Sequence, residues 1–175
     1  MTILYYYLLY LFLATFGATY GLHRYWSHKR GKRRVWYEWF SLTCALFLGV
    51  YKPMAWVGIH RLHHRYSDTP QDPHSPKYQG AWNVLLSRWN KHIPLSIVRD
   101  LIRNERIIFF EKYGKYLIWP IIILSPWTIL FGYIGIGVLN YFGHKNGSAI
   151  NRWFINIFAP FEGKHYDHHR FDIRR

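Results

Sequence analysis

Cysteine is nearly absent from this 175-residue chain: Cys44 is the only one. No intrachain disulfide can form, and no thiolate metal site can be assembled. A bound transition metal would have to be held by nitrogen and oxygen ligands. Acidic side chains are also scarce, nine Asp and Glu against 23 Lys and Arg, for a formal charge of +14. That scarcity argues against a soluble carboxylate-bridged metal bundle, which draws Glu from several helices together with two Glu-x-x-His motifs. One such motif occurs here, "EGKH" from Glu162 to His165. Internal repeats and low-complexity segments are missing as well, which excludes solenoids and tails.

What the chain has in quantity is apolar and aromatic surface. Half of the residues are hydrophobic and 21% are aromatic, enough for one compact domain over 1–175. Met1 to Leu22 carries no charged side chain and predicts a transmembrane helix over 1–22. A cleaved signal peptide fits less well, because no Lys or Arg precedes the run and no small-residue cleavage site closes it. Arg24, Lys29, Arg30, Lys32, Arg33 and Arg34 follow directly. By the positive-inside tendency they lie in the cytoplasm, with the N-terminus outside. A nucleic-acid-binding module would explain the charge but not the uncharged span, so no nucleic-acid partner is expected.

A second apolar stretch over 41–59 is interrupted by Lys52 and Pro53, which predicts an interfacial or re-entrant helix pair. From His60 to about Tyr116 the chain is polar and basic, with "SDTPQDPHSPKYQG" as a loop. The last apolar run, over 116–140, is broken by Pro120 and by Ser125-Pro126. If His64 and His144 serve one centre, the chain between them crosses the membrane an even number of times. The run is too short for two full spans at about 1.5 Å per residue. It therefore predicts a shallow helical hairpin turning near Ser125-Pro126 and extended backward along Arg106 to Tyr113.

Eleven histidines remain to be explained, and most are grouped. "HRYWSH" holds His23 and His28, "HRLHH" holds His60, His63 and His64, "NYFGH" ends in His144, and "HYDHH" holds His165, His168 and His169. Positions i, i+3 and i+4 share one helical face, so each His-x-x-His-His trio can aim three imidazoles at one place. His23 and His28 are five apart and diverge on an ideal α-helix. One of them sits where the helix ends or loosens, or the two serve different ions. A lone histidine is ordinarily a hydrogen-bonded surface or core residue, and His92 is read that way. His74 in "DPHSP" is either a loop residue or a group behind the ligands. Nine candidate nitrogens exceed what one ion accepts, so two ions held by imidazole are the economical inference.

In their order along the chain, "HRYWSH", "HRLHH" and "HYDHH" resemble the three histidine boxes of the integral-membrane fatty acid desaturases. "HRLHHRYSDTPQDPHSP" is similar to the corresponding stretch of delta-9 enzymes of the acyl-lipid and acyl-CoA type. "NYFGH" resembles the Asn-x-x-x-His element of the family's last membrane helix, and "EGKHYDHH" its third box. The resemblance covers roughly residues 15–172.

The resemblance implies an all-α integral membrane protein with one N-terminal transmembrane helix, broken or re-entrant apolar helices and a cytoplasmic helical cap holding a di-iron centre. It makes His23, His28, His60, His63, His64, His144, His165, His168 and His169 the ligands of two Fe2+ ions, with Asn140 reaching one through a water. Glu162, Asp167 and Asp72 become the partners that orient imidazoles, and Trp56 lies near the acyl chain. The implied reaction places a cis double bond, at delta-9, in an acyl-lipid or acyl-CoA using O2. Electrons then come from a separate acidic donor such as ferredoxin or cytochrome b5, drawn to a basic face that also meets membrane lipids. Other readings are a di-iron lipid or carotenoid hydroxylase or ketolase, and a metal-binding membrane protein without catalysis. Family members usually have four membrane helices, whereas this chain is expected to start at the second. Nothing in the sequence fixes an oligomer.

Overall fold

A computed structural model describes residues 2–32, 34–88, 92–145 and 147–172. Met1 and Arg33, counted above in the first span and the cationic cluster, lie outside the described residues. All regular structure among them is helical. Helix α1, Ile3–Leu13, continues without a break into a π-helical segment, Ala14–Ser27. Together they form a 25-residue helix long and apolar enough to cross a membrane. Ile3, Leu4 and Leu8 on its outer half are 57–62% exposed, as side chains meeting lipid rather than a protein core would be.

Helix α2, Val35–Phe47, packs along the π segment. The approach is so close that a Cβ on Gly17 would stand 2.6 Å from the Ala45 nitrogen, and one on Gly21 would stand 2.9 Å from the Ser41 Cβ. Glycine is required there. The apolar stretch over 41–59 does not continue as one helix: α2 stops at Phe47, Gly49 turns the chain at φ +91°, and α3, Pro53–Tyr66, restarts on a proline at its first position. Short helices α4, Pro76–Gln79, α5, Ala81–Leu85, and α6, Leu95–Val98, carry the chain round the polar end.

Helix α7, Glu105–Leu124, opens on Asn104, whose side chain accepts the Arg106 and Ile107 N–H groups at 3.0 and 3.1 Å. Helix α8, Pro126–Gly143, follows after Ser125, with the two axes bent by 110°. The arms are 20 and 18 residues long, and the first begins eleven residues ahead of the apolar run because α7 opens with the polar turns of Glu105 to Lys115. The exposed faces of Trp119, Ile123, Leu124 and Trp127 surround the bend. Helices α9, Ile155–Phe158, and α10, His165–Asp172, close the chain over the polar end.

Leu22, Leu42, Ala45, Val57, Ile107 and Phe110 form the core joining the π segment, α2, α3 and α7. One buried carboxylate ties the same elements together. Glu38 is 1% exposed and accepts hydrogen bonds from the Tyr25 hydroxyl, Asn104 Nδ2 and Arg106 Nε, each at 3.0 Å. A buried charge is tolerated only when paired and hydrogen-bonded in this way.

Candidate metal centre

Four segments bring nine imidazoles to the polar end of the bundle. The π segment supplies His23 and, at its C-cap, His28. Helix α3 supplies His60, His63 and His64, the end of α8 supplies His144, and α10 supplies His165, His168 and His169. Their ring nitrogens fall into two sets, each with all ligating atoms within 4.8 Å of one another: His23, His28, His60, His64 and His168 in one, and His63, His144, His165 and His169 in the other.

The helical register explains the division. On α3 the i and i+4 residues, His60 and His64, join the five-nitrogen set, while His63 between them turns to the other. Helix α10 does the reverse: His165 and His169 join the four-nitrogen set and His168 crosses over. Each trio therefore serves both sets rather than aiming at one place. His23 and His28 join the same set because the helix between them is π. The His28 N–H donates to the His23 carbonyl at 3.1 Å, five residues back, and the ring centroids are 4.9 Å apart.

Four of the outer nitrogens have partners. Glu162 Oε1 accepts from His23 Nδ1 at 2.8 Å, Asp72 Oδ1 from His63 Nδ1 at 2.7 Å, and Asp68 Oδ1 from His144 Nδ1 at 2.9 Å. Ser67 Oγ lies 3.2 Å from His169 Nδ1. With Nδ1–H donating to a carboxylate, the Nε2 lone pair points inward. Inside, Nε2 atoms meet in pairs: His23 and His168 at 2.6 Å, His64 and His168 at 3.1 Å, His28 and His60 at 3.2 Å, His63 and His169 at 3.1 Å, and His144 and His165 at 2.7 Å. Converging lone pairs repel unless a cation lies between them. Two nitrogens about 2.1 Å from one ion, on adjacent corners, stand about 3 Å apart, which is the spacing seen. The donor set fits two metal ions.

Electrostatics point the same way. Burial, reinforced by neighbouring imidazoles, pulls His60, His63, His64 and His165 well below the usual histidine range, and His169 to about 3. These rings are neutral at pH 7, the form that binds a metal. Burial pushes the Asp72 carboxyl up to about 6, opposed by the Asp68 and His74 backbone N–H groups at 2.8 Å.

Of the orienting carboxylates expected from sequence, Glu162 and Asp72 touch imidazoles. The Asp167 carboxylate touches none among the described residues, although its N–H donates to Asn151 Oδ1 at 3.3 Å. Asp68 takes up the remaining carboxylate position. Its signal in the sequence was its place four residues before Asp72 in the same turn-rich loop, which alone does not separate it from a solvated loop acid. His74 is buried, stacks on His63 with centroids 4.7 Å apart, and pairs Nδ1 with Asn140 Oδ1 at 3.0 Å. His92 is exposed.

An apolar slot of about 420 Å³ leads away from His23, His60, His63 and His165. It runs past Trp56 and Ile59 to Tyr10 on α1, Ala14 at the start of the π segment, and Gly132 and Gly135 on α8. Trp56 stacks on His60, centroids 5.2 Å apart and planes 9° from parallel, so the wall of the slot and a metal-facing ring are one unit. On the outer side a pit bordered by Arg24, Arg30 and Lys164 opens beside His168.

Comparison with known proteins shows the family of the chain. The family model described as fatty acid desaturase matches residues 2–172. An acyl-CoA 5-desaturase of Anemone leveillei is 24% identical over 94% of this chain and 60% of its own length. The sn-1 stearoyl-lipid 9-desaturase of Anabaena variabilis is 25% identical over 94% of this chain and 70% of its own. The Delta-9 desaturase-like 4 protein of Arabidopsis thaliana is 30% identical over 91% and 62%. The chain thus spans 60–70% of the length of these curated relatives.

Proposed function

Because the chain belongs to the fatty acid desaturase family, we propose that it inserts a cis double bond into a fatty acyl chain, with O2 as oxidant and electrons from an acidic donor protein. One observation carries this reading: nine imidazoles, in sets of five and four, stand at the inner end of an apolar slot. Iron bound by His23, His28, His60, His64 and His168, and by His63, His144, His165 and His169, would supply the redox chemistry that removes hydrogen from an unactivated methylene. The balance is one O2, two electrons and two protons consumed; two substrate C–H bonds break, a C=C bond forms and two waters leave.

The side chains supply position. Glu162, Asp72 and Asp68 hold the rings of His23, His63 and His144 in one tautomer, with Nε2 turned toward the centre. Asn140 has a buried Nδ2 without a partner, which a water bridging to the four-nitrogen set would satisfy. Trp56, stacked on His60, presses the acyl chain toward the centre, and the apolar walls keep bulk water away. The methyl end runs toward Tyr10 and Gly132. We take the bond position as delta-9 and the substrate as an acyl-lipid or acyl-CoA, in line with the named activities of the relatives.

We take Ile3–Ser27 as the membrane-spanning helix, and the cations Arg24, Arg30, Lys32 and Arg34 at its end support a cytoplasmic metal end. Arg24, Arg30 and Lys164 around the pit beside His168 attract the acidic donor, which ferredoxin or cytochrome b5 would provide.

The test is the fatty-acid profile of a desaturase-deficient host expressing the chain with a ferredoxin system, beside the His63→Ala variant. A new monounsaturated acid seen only with the intact chain is expected, and its mass spectrum locates the bond. An unchanged profile with the protein present in the membrane overturns the assignment for fatty acyl substrates.

A further inference from the structure

Arg61, the second residue of "HRLHH", belongs to neither set of nitrogens. An arginine at the polar end of a helix is ordinarily solvated. Arg61 is not: its side chain is 13% exposed, and every N–H of its guanidinium has an acceptor. Nε donates to the Ser27 carbonyl at 3.2 Å, and Nη1 to the Ile97 carbonyl and Asp100 Oδ1, both at 2.7 Å. Nη2 donates to the Trp26 carbonyl at 2.7 Å and to Asp100 Oδ2 at 3.0 Å. We propose that Arg61 is a positioning residue for the five-nitrogen set, holding His28 against His60 and His64. The inference rests on the two-ion reading of the centre and not on the acyl chemistry.

Trp26 and Ser27 are the last residues of the π segment before His28, where helix carbonyls run out of intrahelical donors. A cation there satisfies both carbonyls and meets the negative end of the helix dipole. Past His28 the chain leaves the helix at Lys29 with φ +55°, a left-handed conformation that residues with a side chain seldom adopt. The Lys29 ammonium lies 3.3 Å from the same Asp100. His28 is therefore bracketed. Arg61 holds the chain before it, and Asp100, gripped through both oxygens by Arg61, meets the residue after it. The Lys29 contact is exposed and is the weaker side of the bracket. Carboxylates orient His23, His63 and His144 through their rings, whereas Arg61 acts on His28 through the backbone.

The place of Arg61 on α3 gives the clamp its effect. Successive residues on an α-helix are turned by about 100°, so α3 aims His60 and His64 at the centre and Arg61 at the end of the first helix beside it. One helix thus carries two nitrogens of the set and the side chain that brings in a third. His28 Nε2 stands 3.2 Å from His60 Nε2, and the His28 ring centre lies 4.4 Å from that of His64. A lysine at 61 would keep the charge but not the planar fork that spans a carboxylate and three carbonyls at once.

Cobalt(II) added to the metal-free full chain in mild detergent reads the ligands through its visible spectrum, without O2, donor or substrate. The parent is expected to take up two ions. His28→Ala marks the bands of the five-nitrogen set and His144→Ala those of the other. Arg61→Gln should still take up two ions, should reproduce the His28→Ala spectrum, and should add nothing further when combined with His28→Ala, because the two changes act through one ligand. Asp100→Asn leaves the three carbonyl contacts of Arg61 in place and should move the same bands part of the way. It carries the test if Arg61→Gln loses the parent's helix content by circular dichroism. Unchanged bands in the folded variants would overturn the inference. So would a change additive to that of His28→Ala, or one that reaches the bands marked by His144→Ala, since Arg61 would then support the fold alone. Uptake of fewer than two ions by the parent is a separate failure: it removes the two-ion reading and this inference with it.

Discussion

His28 stands one π-turn above His23: its N–H reaches the His23 carbonyl at 3.1 Å across five residues. The Ser27 hydroxyl repeats the step to the Leu22 carbonyl at 2.7 Å. A spacing of four intervening residues, which separates two rings on an α-helix, brings them onto one face of a π-helix, here edge to face. The two rings then enter the same five-nitrogen set as His60, His64 and His168.

The unequal sets predict unequal sensitivity. Removing His28 leaves four nitrogens in its set, still a complete tetrahedral complement, whereas removing His144 leaves three. His28→Ala should retain close to the parent's iron after dialysis against a chelator, and His144→Ala should fall toward half. Iron per chain by plasma mass spectrometry decides it, and a greater loss from His28→Ala would contradict the division.

Asp68 and Asp167 offer a direct comparison. The first accepts from His144 Nδ1 at 2.9 Å, while the second reaches no imidazole among the described residues. Asp68→Asn should weaken metal retention by about 10- to 100-fold, and Asp167→Asn should leave it within error. Chelator competition measures both. Equal effects would mean that loop charge rather than ring orientation matters.

Much of this centre was legible in the residues, and the reasons differ by element. The i, i+3, i+4 spacing of each trio announced converging imidazoles, because helix geometry converts spacing into direction. That a trio would divide between two sets was not legible, since the division depends on how α3 and α10 face each other across the centre. The π segment was visible only as an awkward five-residue spacing. Asp68 could not be separated from Asp167 because both are acids near a histidine trio, and only the fold decides which one touches a ring. The break at Ser125 followed from Ser125-Pro126, and the backward extension expected along Arg106 to Tyr113 comes within one residue of the observed start of α7 at Glu105.

The slot should measure its substrate. Ala14 is 4% exposed and lines the far half of the slot with Tyr10 and Gly132. Ala14→Leu adds three carbons to that wall and should shift the product profile toward shorter acyl chains, with the bond position counted from the carboxyl end unchanged. Gas chromatography of the products tests this. An unchanged length distribution would place the methyl end elsewhere.

Acid should unload and loosen the protein together. A histidine in the unfolded chain titrates near 6.5. Burial holds His60, His63, His64 and His165 well below that and His169 at about 3. Between those values the unfolded state binds more protons than the folded one, so stability is full above about pH 6.5 and is lost as pH falls toward the folded values. Asp72, raised to about 6 by burial, acts in the opposite sense between its ordinary value and 6, because there the folded state holds the extra proton. One carboxyl is set against five imidazoles, each worth up to about 1.4 kcal/mol per pH unit in that window, so the histidines dominate. Bound metal adds to the same trend, since protons compete for the same nitrogens. The melting temperature followed by circular dichroism should fall steadily from pH 7 to pH 5, in metal-free and iron-loaded protein alike, with iron released over the same range. A melting temperature that stayed level or rose on acidification would mean that the rings are protonated in the folded state, and the inward lone pairs on which the centre depends would not exist.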